Sequence, residues 1–259
     1  MPTISFYKYQ ATGNDFILID NRDNSVKHNE SLALSLCDRK FGIGSDGLIL
    51  IENHDTLDFD MVFYNPDGSK SLCGNGSRCA VNFAHKLGLI NSETTFNAFD
   101  GSHEAEILNG TEVRLKMNDV HNVMLKADGM FVDTGSPHLV VYENNVIGAD
   151  VYQKGKAIRY NDEFKATGIN INFVEIVSNN EIFVRTYERG VENETLSCGT
   201  GVTAAALASE SKGLTSPIDV KTKGGRLKVE FKKDENNKFS EIYLIGPAKE
   251  VFKGTIDID

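Results

Sequence analysis

Short apolar runs, alternating or continuous, dominate the chain, and two longer stretches interrupt them with helical spacing. Ile4 to Lys8 and Phe16 to Asp20 flank the polar corner Thr12-Gly13-Asn14-Asp15 and predict two strands. Leu32, Leu36 and Cys37 share one side of a short helix expected over Leu32 to Asp38, capped by Asn29 or Ser31. Leu48 to Glu52 and Asp58 to Tyr64 read as strands, and Asn65-Pro66-Asp67-Gly68 has strong turn chemistry. After Cys73, the sets Arg78, Val81, Asn82, His85 and Cys79, Phe83, Leu87 recur at three- and four-residue steps until Gly88 closes a helix. Thr94 to Asn118 then gives short alternating strands, among them Val113 to Met117. The loop Gly42-Ile43-Gly44-Ser45-Asp46-Gly47 is either a tight turn or a place where backbone approaches a ligand.

The second half repeats this order. Strands are expected within Met130 to Tyr142, then a polar turn region, then strands Ile171 to Val177 and Glu181 to Tyr187. An alanine-rich helix follows over Val202 to Lys212, closed by Gly213, and Asp234 to Lys238 reads as a solvated hairpin tip. The landmarks keep one spacing: 198 − 73 is 125 for Cys198 and Cys73, 187 − 64 is 123 for Tyr187 and Tyr64, and 134 − 12 is 122 for Thr134 and Thr12. Gly213 lies 125 after Gly88, and Gly225 lies 124 after Gly101. Five landmarks in one order at nearly one spacing imply a duplication. The expected fold class is therefore α+β, with two pseudosymmetric domains, each a mostly antiparallel, barrel-like sheet around a central helix. Residues 1–118 form the first, completed by 249–259 if the final strand Val251 to Ile258 returns to it; residues 119–248 form the second.

A chain of 259 residues can bury two cores. Its 27 Lys and Arg against 37 Asp and Glu leave a net charge of −10, which disfavours nucleic acid and anionic lipid and favours a small-molecule partner. No segment approaches the roughly 20 apolar residues of a membrane span, and Met1 to Gln10 has no basic start followed by an apolar run, so a cytoplasmic protein is expected. The four cysteines, Cys37, Cys73, Cys79 and Cys198, make no disulfide framework and show no zinc spacing, so reduced thiols and no metal are expected. Cys37 and Cys79 read as core residues.

Cys73 and Cys198 differ from these, because each sits just ahead of a glycine-flanked helix start, in CGNG and CGTG. Unpaired N–H groups and the helix dipole there favour negative charge, which should bring a thiol toward neutral pKa and cradle a carboxylate. The same donors stabilise charge that flows into that carboxylate when a proton leaves the adjacent carbon. Such a carbanion is planar, so a base on one face and an acid on the other invert the centre without a cofactor. Thiols suit both tasks because their pKa lies near working pH. A redox dithiol and plain packing remain the alternatives at this point.

ATGNDF, GIGSDG, YNPDG, LCGNGSRC, TGSPH, INFVE, TYERG and SCGTG together closely resemble the diaminopimelate epimerase family, nearly end to end. The cysteine motifs alone are shared with other racemases. The resemblance implies the two-lobed fold above, no cofactor, no metal, a homodimer, and interconversion of LL- and meso-diaminopimelate for lysine and peptidoglycan synthesis. It implies that Cys73 and Cys198 are the catalytic pair and that Gly74, Asn75, Gly199 and Thr200 cradle the reacting carboxylate. It further implies that Asn14, Asn65, Asn170 and Arg189 hold the substrate's polar ends, that Glu188 lies beside the reacting ammonium, and that His138 and Glu188 tune the thiols. Two departures fall at the distal end. Ser136 stands where many members have Asn, so a bridging water is expected there; Gly47 stands where some have Gln, leaving only backbone for any contact.

Overall fold

The structure is a computed structural model that describes residues 3–27 and 30–258. The chain begins with β1 (Thr3–Ala11), β2 (Asn14–Asp20), α1 (Glu30–Cys37), β3 (Leu48–Glu52), β4 (Asp60–Tyr64), α2 (Gly74–Lys86), β5 (Glu93–Ala98), β6 (Gly101–Ile107) and β7 (Glu112–Lys116). It continues with β8 (Val123–Lys126), β9 (Gly129–Asp133), β10 (Pro137–Tyr142), α3 (Val151–Arg159), β11 (Asn170–Ser178), β12 (Glu181–Glu188), β13 (Asn193–Thr195) and α4 (Gly199–Glu210). It closes with β14 (Ile218–Thr222), β15 (Gly225–Lys233), β16 (Phe239–Pro247) and β17 (Lys249–Asp257). Two compact units result: Met1–Leu115 with Gly246–Asp259, and Lys116–Ile245.

In the first unit, β1 pairs antiparallel with β2 and, on its other side, with β17. From β2 onward the pairings are parallel to β3, antiparallel to β4, parallel to β5, then antiparallel to β6 and β7. Phe16 to Ile19 and Leu48 to Ile51 are buried without interruption. The cause is that strands covered on both faces need no polar alternation: Ile17, Ile19, Leu48 and Leu50 pack with Ala33, Leu36 and Cys37 of α1, and α2 packs against the same strands. The turn between β1 and β2 is only Thr12-Gly13, with φ of 49° and 85°. Two left-handed residues match the strand twist, as in the tightest hairpins, and Asn14 becomes the first paired residue of β2, opposite Ala11.

In the second unit, β8 pairs antiparallel with β9. From β9 the senses run antiparallel to β10, parallel to β11, antiparallel to β12, parallel to β14, then antiparallel to β15 and β16. α4 is buried from Val202 to Ser209. Its alanines at 204, 205, 206 and 208 let strands approach from several sides, and Val202 and Leu207 bring about 1.5–3 kcal/mol each of apolar burial.

Several expectations shift. Ser31 lies inside α1 rather than capping it, and Asn29 falls outside the described residues. α3 occupies what the sequence reads as a polar turn region. Asp150 caps it by accepting from the Gln153 N–H at 3.0 Å, and Gly155 lets it press on Tyr187, where a Cβ would sit 2.4 Å from the tyrosine Cβ. Mostly polar residues and an internal glycine hide this helix, and packing makes it. β8, four residues long, and β13, three polar residues, are likewise too short to announce themselves.

Candidate active site

Cys73 is the N-cap of α2, with extended φ and ψ of −129° and 111°, and its sulfur accepts the Gly76 N–H at 3.5 Å. The Asn75 side chain is buried and polar at both ends: Arg78 Nη2 donates to its Oδ1 at 2.9 Å, and its Nδ2 donates to Asn14 Oδ1 at 3.2 Å. That same Asn14 oxygen lies 3.7 Å from the Cys73 sulfur, while Asn14 Nδ2 donates to Asp46 Oδ2 at 2.7 Å. Asp46 in turn accepts from Arg39 at 2.7 Å. Arg39 also reaches Asp15 at 2.6 Å, and Lys8 pairs with Asp15 and donates to the Gly44 carbonyl.

The loop at residues 42–47 is thereby explained. It is a tight turn wound onto the end of α1, with N–H groups of Ile43, Gly44 and Ser45 on carbonyls of Leu36 and Cys37. Asp46 is the residue of this loop that reaches Asn14. Gly47 is a packing glycine: a Cβ there would meet the Phe63 ring at 2.3 Å. Its carbonyl accepts from the Ile17 N–H and its N–H donates to Ser45 Oγ, so both backbone groups serve the fold.

Asn65 follows β4 with its Nδ2 on Ser69 O, Ser69 Oγ and Ser71 Oγ at 3.0–3.2 Å, and so shapes the loop that leads to Cys73. Beside Gly74 a Cβ would meet nothing within 4 Å.

At α4, Cys198 holds the equivalent extended N-cap conformation, φ −114° and ψ 114°. Its sulfur lies 3.5 Å from Thr200 Oγ1, which is 3.0 Å from His138 Nε2. His138 Nδ1 meets Asn172 Nδ2 at 3.0 Å, and Thr186 Oγ1 donates to Asn172 Oδ1 at 2.9 Å. Thr134 Oγ1 holds the Thr200 carbonyl at 3.0 Å. Burial first, and the Arg189 charge second, push the His138 imidazole down to about 3, so it is neutral at working pH. Asn170 spends its amide on Pro137 O and the Arg189 N–H. Arg189 is exposed, with Nη1 on Thr167 O at 3.2 Å; Glu188 ends β12 half-buried.

The first unit thus brings together Asn14, Cys73, Gly74 and Asn75, with Asn65 one loop away; the second brings together His138, Cys198, Gly199 and Thr200, with Asn170 and Arg189 linked to each other. Sequence reasoning passed over Arg78, Asp46, Asn172 and Thr186. A charged residue three positions after Asn75 on a wholly buried helix, and a polar residue on the inward side of an apolar strand, were the signals. Arg78 is fully buried with Nε and Nη1 unpartnered; burial lowers it to about 10, still a cation at neutral pH. Cys37 and Cys79 are core residues whose thiols burial pushes up, and Ser45 donates to the Cys37 sulfur at 3.2 Å. Among the described residues no three His, Cys, Asp or Glu side chains cluster as a metal site, and no helix is long and apolar enough to cross a membrane.

Solved structures share this fold. A phenazine biosynthesis protein of the PhzF family from Bacillus anthracis superposes with a TM-score of 0.76 at 15% identity, covering all of both chains. A probable proline racemase from Agrobacterium radiobacter gives 0.71 at 16%, covering 99% of this chain and 93% of that one. In sequence, the diaminopimelate epimerase of Flavobacterium psychrophilum is 50% identical over 98% of this chain and 100% of its own length. That of Aquifex aeolicus is 40% identical over 98% of both. The family model for diaminopimelate epimerase matches residues 6–123 and 130–251. With half its residues shared end to end with one such enzyme and nearly its whole length matched by the model, the chain belongs to the diaminopimelate epimerase family.

Proposed function

We propose that this isomerase interconverts LL- and meso-diaminopimelate by proton transfer between Cys73 and Cys198, without a cofactor. The observation that carries the reading is the pair of extended cysteine N-caps ahead of glycine-flanked first turns: the Cys73 sulfur accepts from the Gly76 N–H, and the Cys198 sulfur instead lies 3.5 Å from Thr200 Oγ1. One thiolate removes the α-proton; the other thiol returns a proton to the opposite face. General acid and base groups of this kind contribute about 10²–10⁴-fold each. The N–H groups at Gly74, Asn75, Gly199 and Thr200 receive the carboxylate and the charge that enters it. Asn14 and Arg189 bind the polar ends, Asn65 and Asn170 hold the loops that present them, Glu188 sits beside the reacting ammonium, and His138 tunes Cys198 through Thr200.

The two units descend from one duplicated half, a proposal supported by the recurrence of the same order of pairing senses and of a helix in both crossovers. Supply of lysine and peptidoglycan precursors, a cytoplasmic setting and a homodimer follow as proposals from family membership. The test is incubation of LL-diaminopimelate with reduced protein in deuterium oxide. Deuterium at the α-carbon together with meso product is expected, with proline as the negative control; absence of both removes the reading.

A further inference from the structure

We propose that hydrogen bonding divides the labour before substrate arrives, holding a proton on Cys73 and leaving Cys198 as the thiolate. This rests on the acid and base reading above and deepens it. An amide's orientation is decided wherever a neighbour can play only one role. A guanidinium only donates, so Arg78 fixes Asn75 with Oδ1 toward it and Nδ2 toward Asn14. A carboxylate only accepts, so Asp46 fixes Asn14 Nδ2 toward itself. Both ends give one answer: Asn14 presents its carbonyl oxygen to the Cys73 sulfur. An acceptor there suits S–H and opposes S⁻.

The second chain runs the other way. Thr186 donates to Asn172 Oδ1, and the Gly201 Cα packs against that oxygen, where a Cβ would lie 2.3 Å away. A C–H tolerates an oxygen at this place and not an NH₂ group. Asn172 therefore offers Nδ2 to His138 Nδ1, and a neutral imidazole must then carry its proton on Nε2. That proton goes to Thr200 Oγ1, whose own hydrogen is left for the Cys198 sulfur. A donor there suits S⁻.

Charges and donors around Cys73 pull both ways. Arg78 on α2 and the Gly76 N–H favour a thiolate, and Asp46 opposes it. Lys8, Asp15 and Arg39, from β1, β2 and the loop after α1, are engaged with one another. Around α4, the charged groups at the same end include Asp133 of β9, Glu188 of β12, Arg189 just beyond it, and the pair Glu194 and Lys223, whose neighbour Gly224 donates its N–H to the Leu196 carbonyl, with His138 neutral.

In the first turnover Cys198 sulfur takes the α-proton while the C–H pair enters the carboxylate-conjugated carbanion, and Cys73 gives its S–H proton to that carbon. The enzyme then holds the reverse distribution, Cys198 as thiol and Cys73 as thiolate.

The test is iodoacetamide alkylation of substrate-free, reduced protein across pH 5–10, with each cysteine followed by peptide mass spectrometry and scaled to its own high-pH plateau, which removes accessibility. Cys198 should reach half its plateau at least one pH unit below Cys73, a tenfold difference in thiolate fraction at intermediate pH. Thr200→Val should raise the Cys198 half-point by about one unit and Thr200→Ser should not. Asp46→Asn, which removes the negative charge that opposes a thiolate on Cys73, should lower the Cys73 half-point. Cys73 leading, both cysteines coinciding, or half-points unmoved in Thr200→Val and Asp46→Asn would overturn the proposal. Alkylation needs no turnover, so this result is separate from the deuterium exchange that tests the reaction itself.

Discussion

The starts of α2 and α4 share an extended cap conformation and differ in the side chains lined up behind the sulfur. Both caps are extended cysteines followed by Gly-x-Gly. At α2 the supporting shell is ionic, with Arg78 at one end of an amide chain and Asp46 at the other. At α4 it is neutral, a line of hydroxyl, amide and imidazole. A repeated motif therefore preserves the helix start, which the chain dictates locally, while side chains on distant strands give each copy its own chemistry.

The sharpest way to probe that comparison is to remove the sulfurs. Cys73→Ser and Cys198→Ser should each lower the rate of meso formation by at least about 10²–10⁴-fold, as read by chiral chromatography; near-normal inversion by either variant would end the proposed acid and base pair.

The glycines grade the two starts next. Gly201→Ala would drive a Cβ to 2.3 Å from Asn172 Oδ1, so a loss of about 1–3 kcal/mol of stability is expected along with the His138 chain. Gly76→Ala meets only the flexible tips of Ile49 and Met61 and the Cys73 Cβ at 3.3–3.5 Å, and Gly74→Ala meets nothing. Urea titration should rank the three in that order, and a Gly76→Ala loss equal to that of Gly201→Ala would break the distinction.

pH offers a milder probe. The folded His138 pKa lies below its unfolded value of about 6.5, so as pH falls from there toward 3 the unfolded chain binds a proton that the folded one refuses. Stability should decline by up to about 1.4 kcal/mol per pH unit. The decline is best read between pH 6 and 5, above the carboxylates, and His138→Gln should flatten it. The smallest effect is reserved for Cys37→Ser, which should cost about 1 kcal/mol in thermal unfolding and leave turnover intact.

Much of this was legible in advance wherever a local rule acts alone. Gly88 and Gly213 close their helices with φ of 72° and 91°, as the glycine stops indicate. α3 was not legible, although the repeat itself pointed to it, since α1 sits in the matching crossover. Its apolar side is only Val151, Gly155 and Ile158, interrupted by the glycine, and its place is decided by contact with Tyr187. The packing reason for Gly47 was hidden in a similar way, because the Phe63 ring that demands a glycine there lies sixteen positions away in the chain (63 − 47).

By itself, then, the sequence determined the recurrence of landmarks at one spacing and the two cysteine-capped helix starts, because capping, turn residues and periodicity act over a few neighbouring positions. Only the tertiary structure decided that Asp46 and Arg78 orient Asn14, that Asn172 sets the His138 tautomer, and that Gly47 and Gly201 must lack a side chain. Those are matters of donor, acceptor and distance between residues that the chain keeps far apart and folding brings within 3 Å.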